Sequence, residues 1–179
     1  LPIWARIVAR AWVDADYKAL LLENGSEAAE RLGIKVGEAQ LVVVENTDRV
    51  HNLITCTLCS CYPRSILGQP PAWYRNKVYR ARSVSEPRKV LEEFGTQLPA
   101  DVAIHVRDSN ADMRWMVLPQ QPAGSAGWDE ERLQSLVTRD SLIGIAPALA
   151  PLTASKPSQS SSSSRSSTPQ VKAPCAPPP

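Results

Sequence analysis

The run Cys56-Thr-Leu-Cys-Ser-Cys61 places three cysteines within six residues and limits the chemistry of this chain more than any other stretch. Cys59 and Cys61 are too close in sequence for an ordinary disulfide, which needs Cα atoms about 4.4–6.8 Å apart and converging Cβ vectors. Three thiolates on so short a loop can instead converge on one metal ion from one side. The backbone nitrogens of Ser60 and Cys61 would then face the same ion. We call residues 56–61 the claw.

The spacing alone leaves two other interpretations open. A C-x2-C pair is often half of a structural zinc site, which needs further ligands, and the remaining candidates are His51, His105 and Cys175. Cys56 and Cys59 also have the spacing of a thioredoxin-like redox pair, although that motif normally opens a helix and no helical period follows the claw. We expect His51 to lie in a partly exposed loop and His105 to face away from the core.

Composition and charge fit a cytoplasmic protein. The chain has 179 residues and a formal net charge of +2, so no general attraction to nucleic acid or to a membrane is expected. No apolar run approaches the roughly 20 residues needed to span a bilayer, and we recognise no signal peptide. Three clustered thiols and one distant cysteine do not form a disulfide framework.

Hydrophobic periodicity and capping residues predict an α+β fold. Helical spacing of apolar residues, Ser26 as an N-cap and Pro87 in a first turn are among the signals. The predicted helices are residues 3–12, 17–23, 26–33, 86–94 and 128–137. Short β-branched or alternating runs predict strands at residues 41–44, 53–55, 103–107 and 113–118, with residues 108–110 as a hairpin turn.

We predict three parts along the chain. Residues 1–33 form an N-terminal helical segment that packs on the core or on a partner, and residues 34–146 form the metal-binding catalytic α/β domain. Residues 147–179 are expected to be disordered, because half of the sixteen prolines and an unbroken serine run at 160–164 fall after Ile145. Such a composition buries too little apolar surface to offset its ordering entropy.

The claw and its surroundings resemble the nitrile hydratase α-subunit family, to which the γ subunit of thiocyanate hydrolase is related. The likeness covers about residues 3–147. Besides the claw it includes Pro70-Pro71-Ala-Trp73-Tyr74, Tyr79-Arg80-Ala-Arg82, Glu86-Pro87-Arg88-Lys-Val-Leu91, Met116-Val-Leu-Pro119 and Thr138-Arg-Asp140-Ser-Leu-Ile-Gly144. The resemblance implies the family fold, a layered α/β sandwich with N-terminal helices.

The resemblance also implies a metal centre at the claw. Cys56, Cys59 and Cys61 would supply three sulfur ligands, and the backbone amides of Ser60 and Cys61 two nitrogen ligands. In the family, the residue matching Cys59 is oxidised to sulfinic acid and that matching Cys61 to sulfenic acid. Thr57 matches the cobalt type, so low-spin, non-corrin Co(III) is expected before Fe(III), which softness and geometry alone do not distinguish.

A trivalent ion is a strong Lewis acid that can polarise a bound nitrile. The expected catalytic residues are Cys61, whose sulfenate oxygen is a candidate nucleophile, Cys59, and Ser60, whose hydroxyl can donate within the claw. Hydroxide is the alternative nucleophile, and the sequence leaves both open. Oxidised cysteines need hydrogen-bond donors. In the family a β-type partner subunit supplies arginines for this, and Arg80 and Arg82 of this chain are expected to hold that partner.

Two positions near the claw depart from the family pattern. Arg64 stands where most nitrile hydratases have tryptophan, and Val36-Gly-Glu-Ala39 replaces a Gly-Pro-Gln-Gly stretch whose glutamine supports the site. A guanidinium in place of an aromatic wall suits thiocyanate or a polar nitrile, unless Arg64 pairs with an acidic residue of a partner. Arg64 and Gln69 together favour thiocyanate hydrolase. Trp73 is a second candidate substrate-binding residue, with interface packing as the alternative.

We therefore predict the metal-bearing subunit of a cobalt-type nitrile hydratase, a hydro-lyase that converts a nitrile, expected to be polar, to its amide. The alternative is the γ subunit of thiocyanate hydrolase, which converts thiocyanate to carbonyl sulfide and ammonia. A third hypothesis is a structural zinc site in an interaction module. That hypothesis predicts unoxidised thiols and no hydration of either substrate.

Overall fold

Thirteen helices and strands build residues 1–152, the part of the chain that the computed structural model describes. In chain order they are α1 Ile3–Val13, α2 Ala15–Glu23, α3 Gly25–Arg31, β1 Gln40–Glu45, β2 Val50–Thr55, α4 Arg64–Leu67, α5 Ala72–Arg75, α6 Lys77–Ser85, α7 Pro87–Glu93, β3 Ala103–Asp108, β4 Met113–Leu118, α8 Glu130–Gln134 and α9 Arg139–Ile143. Helices and strands are mixed along the chain, and the predicted α+β class is confirmed.

The three N-terminal helices follow one another closely because α2 and α3 are capped at their starts. The side chains of Asp14 and Asn24 each accept a hydrogen bond from a backbone N–H of the first turn that follows. The prediction that Ser26 caps α3 is wrong. Its hydroxyl instead accepts a hydrogen bond from the backbone N–H of Leu41 at 2.9 Å, and this bond ties α3 to β1.

The four strands form two parallel pairs, β1 with β4 and β2 with β3. The predicted hairpin is therefore wrong, although the chain does turn there. The side chain of Asn110 accepts hydrogen bonds from the backbone N–H groups of Asp112 and Met113, both at 3.0 Å. The turn signal is a local property of the sequence, whereas strand pairing joins segments that are far apart in the chain, β1 with β4 and β2 with β3.

One hydrophobic cluster joins the N-terminal helices to both strand pairs. Its fully buried side chains include Ile7 of α1, Leu21 of α2, Leu41 of β1, Leu53 and Ile54 of β2, Met116 of β4 and Leu142 of α9. The N-terminal helices therefore pack directly on the strands that lead to the claw.

The segment between the claw and β3 is more helical than its sequence indicated. Helices α4 and α5 follow Pro63 and Pro71, and α6 begins after Asn76, whose side chain caps it. Two of them span four residues and α6 is strongly charged, so none shows a long apolar period. The predicted helix at 86–94 is confirmed as α7, with Pro87 in its first turn.

The C-terminal part differs from the prediction in length. The helix predicted at 128–137 ends at Gln134, and a further helix, α9, begins where Thr138 and Ser141 form a capping box. It ends at Gly144, which adopts a left-handed conformation with φ 88°. The predicted helix is therefore shorter than expected, and α9 was not predicted.

The first residues of the predicted tail lie against the domain. Ala148 is buried, and the backbone N–H of Leu149 donates to the carbonyl oxygen of Leu136 at 2.8 Å. Residues 153–179, which hold Cys175 and most of the predicted disordered segment, are outside the described residues. Within residues 1–152, no helix combines the length and apolar character needed to cross a membrane.

Gly144 packs against β2 so closely that only glycine fits. A β-carbon would lie 1.9 Å from the carbonyl oxygen of Asn52. The carbonyl oxygen of Gly144 accepts a hydrogen bond from His51 Nε2 at 2.5 Å, and His51 Nδ1 accepts from Asn46 Nδ2 at 3.3 Å. The prediction of a partly exposed loop position for His51 is wrong, because it is buried on β2, and burial lowers its pKa.

Replacing Gly144 by alanine should destabilise the fold far more than replacing Gly33, another glycine with positive φ. A β-carbon at Gly33 would meet no atom of the described residues within 4 Å. Left-handed backbone alone costs alanine about 1–2 kcal/mol, and the clash at Gly144 adds about 1–3 kcal/mol. We expect Gly144→Ala to lower the thermal midpoint at least about twice as much as Gly33→Ala. Equal decreases would contradict the close packing on Asn52.

Candidate metal centre

Three sulfur atoms converge where the chain leaves β2. Cys56 follows the last residue of the strand, and its Sγ lies 3.5 Å from Sγ of Cys59. The sulfurs of Cys59 and Cys61 are 3.0 Å apart, and all three atoms lie within 4.8 Å of one another. The cysteines are free thiols, with Cys56 buried and Cys59 exposed. The claw therefore reaches from the core to the surface.

The backbone of the claw turns its N–H groups toward the sulfurs. The amide of Cys59 donates to Cys56 Sγ at 3.3 Å, and the amides of Ser60 and Cys61 hydrogen-bond the Cys59 sulfur. The pKa of Cys59 is lowered to about 7, chiefly by its hydrogen bond with Cys61. Burial raises the pKa of Cys61 to about 12. The two neighbouring thiols therefore influence each other's ionisation through the hydrogen bond between them.

Asp108 fixes the first residues of the claw. It ends β3 and lies opposite Thr55 in the parallel β2–β3 pair, so its carboxylate is beside the start of the loop. The backbone N–H of Thr57 donates to Asp108 Oδ1 at 2.9 Å, and the Thr57 hydroxyl donates to Oδ2 at 2.5 Å. Thr57 is therefore a structural anchor for the loop.

Two side chains from the helical segment fix the far end of the claw. The hydroxyl of Tyr74 donates to the carbonyl oxygen of Cys61 at 2.7 Å, and Arg80 Nη1 donates to the carbonyl oxygen of Cys59. Burial raises the pKa of Tyr74, so its hydroxyl stays protonated and donates. The claw is thus held by α5 and α6 on one side and by β3 on the other.

The predicted substrate-binding residue Trp73 belongs to an aromatic cluster. Its ring centroid lies 5.0 Å from that of Tyr79 and 4.9 Å from that of Phe94. Trp73 is absent from the described residues that line the cleft at the claw. A contact between Trp73 and substrate stays a prediction.

Arg64, the other predicted substrate-binding residue, does line that cleft. The cleft has a volume of about 530 Å³ and opens beside Cys59, Ser60 and Cys61. Arg64 is exposed there and makes no ion pair with any residue in the described range. Glu38 also lines the cleft, within the stretch that departs from the family pattern. Both departures therefore lie at the claw.

Sequence reasoning missed Arg114 on β4. It lines the same cleft and opposes the rise in the Cys61 pKa through its positive charge. Its Nη1 atom is buried, and within residues 1–152 it has no hydrogen-bond partner. Arg114 lies 53 residues beyond the claw in sequence, and only the β1–β4 pairing brings it there. No local signal in the sequence marks it.

Arg80 and Arg82, which were both expected to hold the partner subunit, make different contacts within the chain. Arg80 contacts the claw, whereas Arg82 forms ion pairs with Glu86 at 2.8 Å and Glu93 at 2.6 Å. Arg82 therefore joins α6 to its own neighbour α7. Its charge is already matched by two carboxylates.

The donor set fits a metal ion. Three soft sulfur atoms lie close enough to approach one ion, and the backbone amides of Ser60 and Cys61 help to lower the Cys59 pKa. A buried, unpartnered guanidinium nitrogen of Arg114 also suits a site that gains negative charge or oxygen atoms. In the described part of the chain no histidine or carboxylate joins the three thiols, and His105 is exposed beside Arg107 as expected. Cys175 lies outside the described residues.

Comparisons with known proteins agree with this geometry. The family model for the nitrile hydratase alpha chain matches residues 3–146. The chain is 51% identical over 148 residues to the cobalt-containing nitrile hydratase subunit alpha of Pseudonocardia thermophila, an alignment that covers 82% of this chain and 72% of the relative. It is 46% identical over 154 residues to thiocyanate hydrolase subunit gamma of Thiobacillus thioparus, covering 79% and 63%.

Solved structures give the same result for the fold. A double mutant of the Fe-type nitrile hydratase from Comamonas testosteroni Ni1 superposes with a TM-score of 0.80 at 44% identity, covering 86% of this chain and 77% of that one. A thiocyanate hydrolase mutant also gives 0.80, at 42% identity, covering 89% and 80%. The predicted family fold is confirmed.

Replacing Tyr74 by phenylalanine should loosen the claw, because it removes the hydrogen bond to the Cys61 carbonyl oxygen. Tyr79→Phe is a matched control, since the Tyr79 hydroxyl donates at the same distance, 2.7 Å, to the Ile54 carbonyl oxygen in β2. Each change removes one hydrogen bond to a backbone carbonyl and should cost about 1–2 kcal/mol, seen as a lower thermal midpoint. Only Tyr74→Phe should speed chemical labelling of Cys61, measured by mass spectrometry of the labelled peptides. Equal labelling rates in both variants would contradict a tie between Tyr74 and the claw.

Proposed function

The chain belongs to the nitrile hydratase alpha chain family, and from this membership we propose that it is the metal-bearing subunit of a cobalt-type nitrile hydratase. The observation that carries the proposal is the convergence of three free sulfurs and two backbone amides at the edge of an open cleft. Its reaction would be the hydration of a polar nitrile to the amide.

The metal ligands would be the sulfurs of Cys56, Cys59 and Cys61 and the amide nitrogens of Ser60 and Cys61. When bound, a trivalent cobalt ion would act as a Lewis acid on the nitrile. Fe(III) is the alternative ion, since an Fe-type enzyme is among the structural neighbours. The exposed position of Cys59 supports its oxidation to sulfinic acid, with Cys61 as sulfenic acid.

The residues around the claw would orient the reacting groups. A sulfenate oxygen on Cys61 would lie at the cleft, where it can attack the nitrile carbon or position hydroxide that does so. The Ser60 hydroxyl would donate to an oxidised sulfur. Arg114 offers a buried donor from within the chain, which supports an anionic group at this position.

A β-type partner subunit would cover the open side of the claw and supply further arginines. Leu58 at the tip of the loop is 83% exposed, and Cys59 beside it is exposed as well. An apolar tip next to reactive sulfur is a surface that association would remove from water. We place the assembled site at this interface.

The selectivity of the site would depend on Arg64. Its guanidinium lines the cleft together with Arg114, and their combined charge favours a polar or anionic substrate over an alkyl nitrile. The same pair of cations is the observation that favours the second candidate, the γ subunit of thiocyanate hydrolase, whose substrate is an anion. The relative from Thiobacillus thioparus bears that name.

The assembled enzyme, purified without reductant from cobalt-supplemented cells, tests the proposal. We expect about one cobalt per chain, added oxygen on Cys59 and Cys61 in the intact mass, and amide formed from a polar nitrile. Cys61→Ser should abolish hydration even where cobalt is retained, because the sulfenate oxygen is lost. Zinc with three plain thiols would contradict the proposal, and ammonia from thiocyanate without amide from nitrile would establish the second candidate.

Arg64→Trp should move the preference toward apolar nitriles, because a fixed charge is replaced by an apolar aromatic surface. We expect the ratio of kcat/KM for an apolar nitrile to that for a polar nitrile to rise about tenfold, equal to about 1.4 kcal/mol of differential transition-state binding. Arg75→Trp is the control, since Arg75 is an exposed arginine outside the cleft. An unchanged ratio in Arg64→Trp would remove Arg64 from the substrate site.

A further inference from the structure

We propose that Arg80 is a positioning residue that shapes the claw for its metal, an inference that rests on the proposed function of the claw. Arg80 lies on α6, and its Nη1 donates to the carbonyl oxygen of Cys59, the middle cysteine. The side chain is partly buried, and its Nε atom is buried without a hydrogen-bond partner in the described range. The guanidinium therefore contacts the claw, and its Nε atom is shielded from water.

The contact determines the direction of the next amide. The Cys59–Ser60 peptide is planar and trans, so its carbonyl oxygen and its N–H point in opposite directions. With the oxygen directed at Arg80, the Ser60 N–H points to the opposite side of the peptide, and it contributes to the lowered pKa of Cys59. One hydrogen bond on the outer side of the loop thus orients a nitrogen ligand on the inner side.

The charge of Arg80 acts in the same direction. Three sulfurs within 4.8 Å of one another repel when they are thiolates, and nearby positive charge offsets that repulsion. Arg114 lines the cleft and opposes the rise in the Cys61 pKa through its charge, and the Arg80 guanidinium at the Cys59 carbonyl oxygen would add a second cation. Arg80 would therefore favour the assembled, anionic claw before any partner subunit contributes arginines.

Arg82, two residues after Arg80 on α6, offers a matched control. Arg82 is engaged with Glu86 and Glu93 and does not contact the claw. A substitution at Arg82 removes an arginine and its ion pairs from the same helix. If Arg80 only tied α6 to the domain, substitutions at Arg80 and at Arg82 would both lower stability and leave the metal affinity unchanged.

The test titrates the full-length chain, metal-free and under reductant, with Co²⁺ against a competing chelator. Residues that orient metal ligands through hydrogen bonds typically change metal affinity by about 10–100-fold, and we expect that loss in Arg80→Gln. Arg80→Lys keeps the charge with fewer donors and should recover part of the affinity. Arg82→Gln should stay within about twofold of the natural sequence, since it leaves the ligands in place.

A second readout is the sulfur-to-cobalt charge-transfer absorption, which reports ligand arrangement and which a purely structural role would not alter. Unchanged affinity and spectrum in Arg80→Gln would overturn the inference while leaving the proposed function intact. If the unmodified chain binds no Co²⁺ at the three thiols, the proposed function fails and the inference with it. Should Arg80→Gln not fold, Arg80→Lys decides: weaker binding supports the inference, and equal binding overturns it.

Discussion

The geometry of the claw requires three sulfur atoms to stay within 4.8 Å of one another on a loop that belongs to no helix or strand. Such a loop must take its geometry from side chains that bond its backbone. Asp108 binds it where it begins, and Tyr74 and Arg80 bind two of its carbonyl oxygens where it ends. Because each contact comes from a different element, the packing of those elements determines the shape of the claw.

The short helices after the claw therefore have a structural function, which is to hold the claw in shape. Helices α5 and α6 provide Tyr74, Arg80 and the aromatic cluster in which Trp73 lies. Tyrosine and arginine suit the task because each spans several ångströms from a buried base to a polar group at its tip. The segment supports the claw, and none of the described residues that line the cleft on the open side of the loop belongs to α5 or α6.

The positive charges near the claw also come from different elements, namely α4, α6 and β4. Arg64 and Arg114 line the cleft, and Arg80 lies behind the loop. A cluster of ionised or oxidised sulfur is costly to assemble unless donors surround it, so a subunit that supplies three guanidinium groups lowers that cost before it meets a partner. Under the proposed function, selectivity and assembly of the centre would then be two effects of one group of arginines.

The clustering of the three claw cysteines and the place of Arg64 beside them could be predicted from the sequence, because these residues lie within a few positions of one another. The longer helices and the apolar strands were predictable for the same reason, since period and caps are local properties. Three features could not be predicted from the sequence: the pairing of β2 with β3, the burial of His51 against Gly144 and the position of Arg114 at the cleft. These contacts join residues tens of positions apart, and a short turn signal at 108–110 could not show which strands bury each other. The sequence by itself determined which atoms can bind a metal, whereas the tertiary structure decided which side chains hold those atoms in place, because that depends on distant elements meeting in one core.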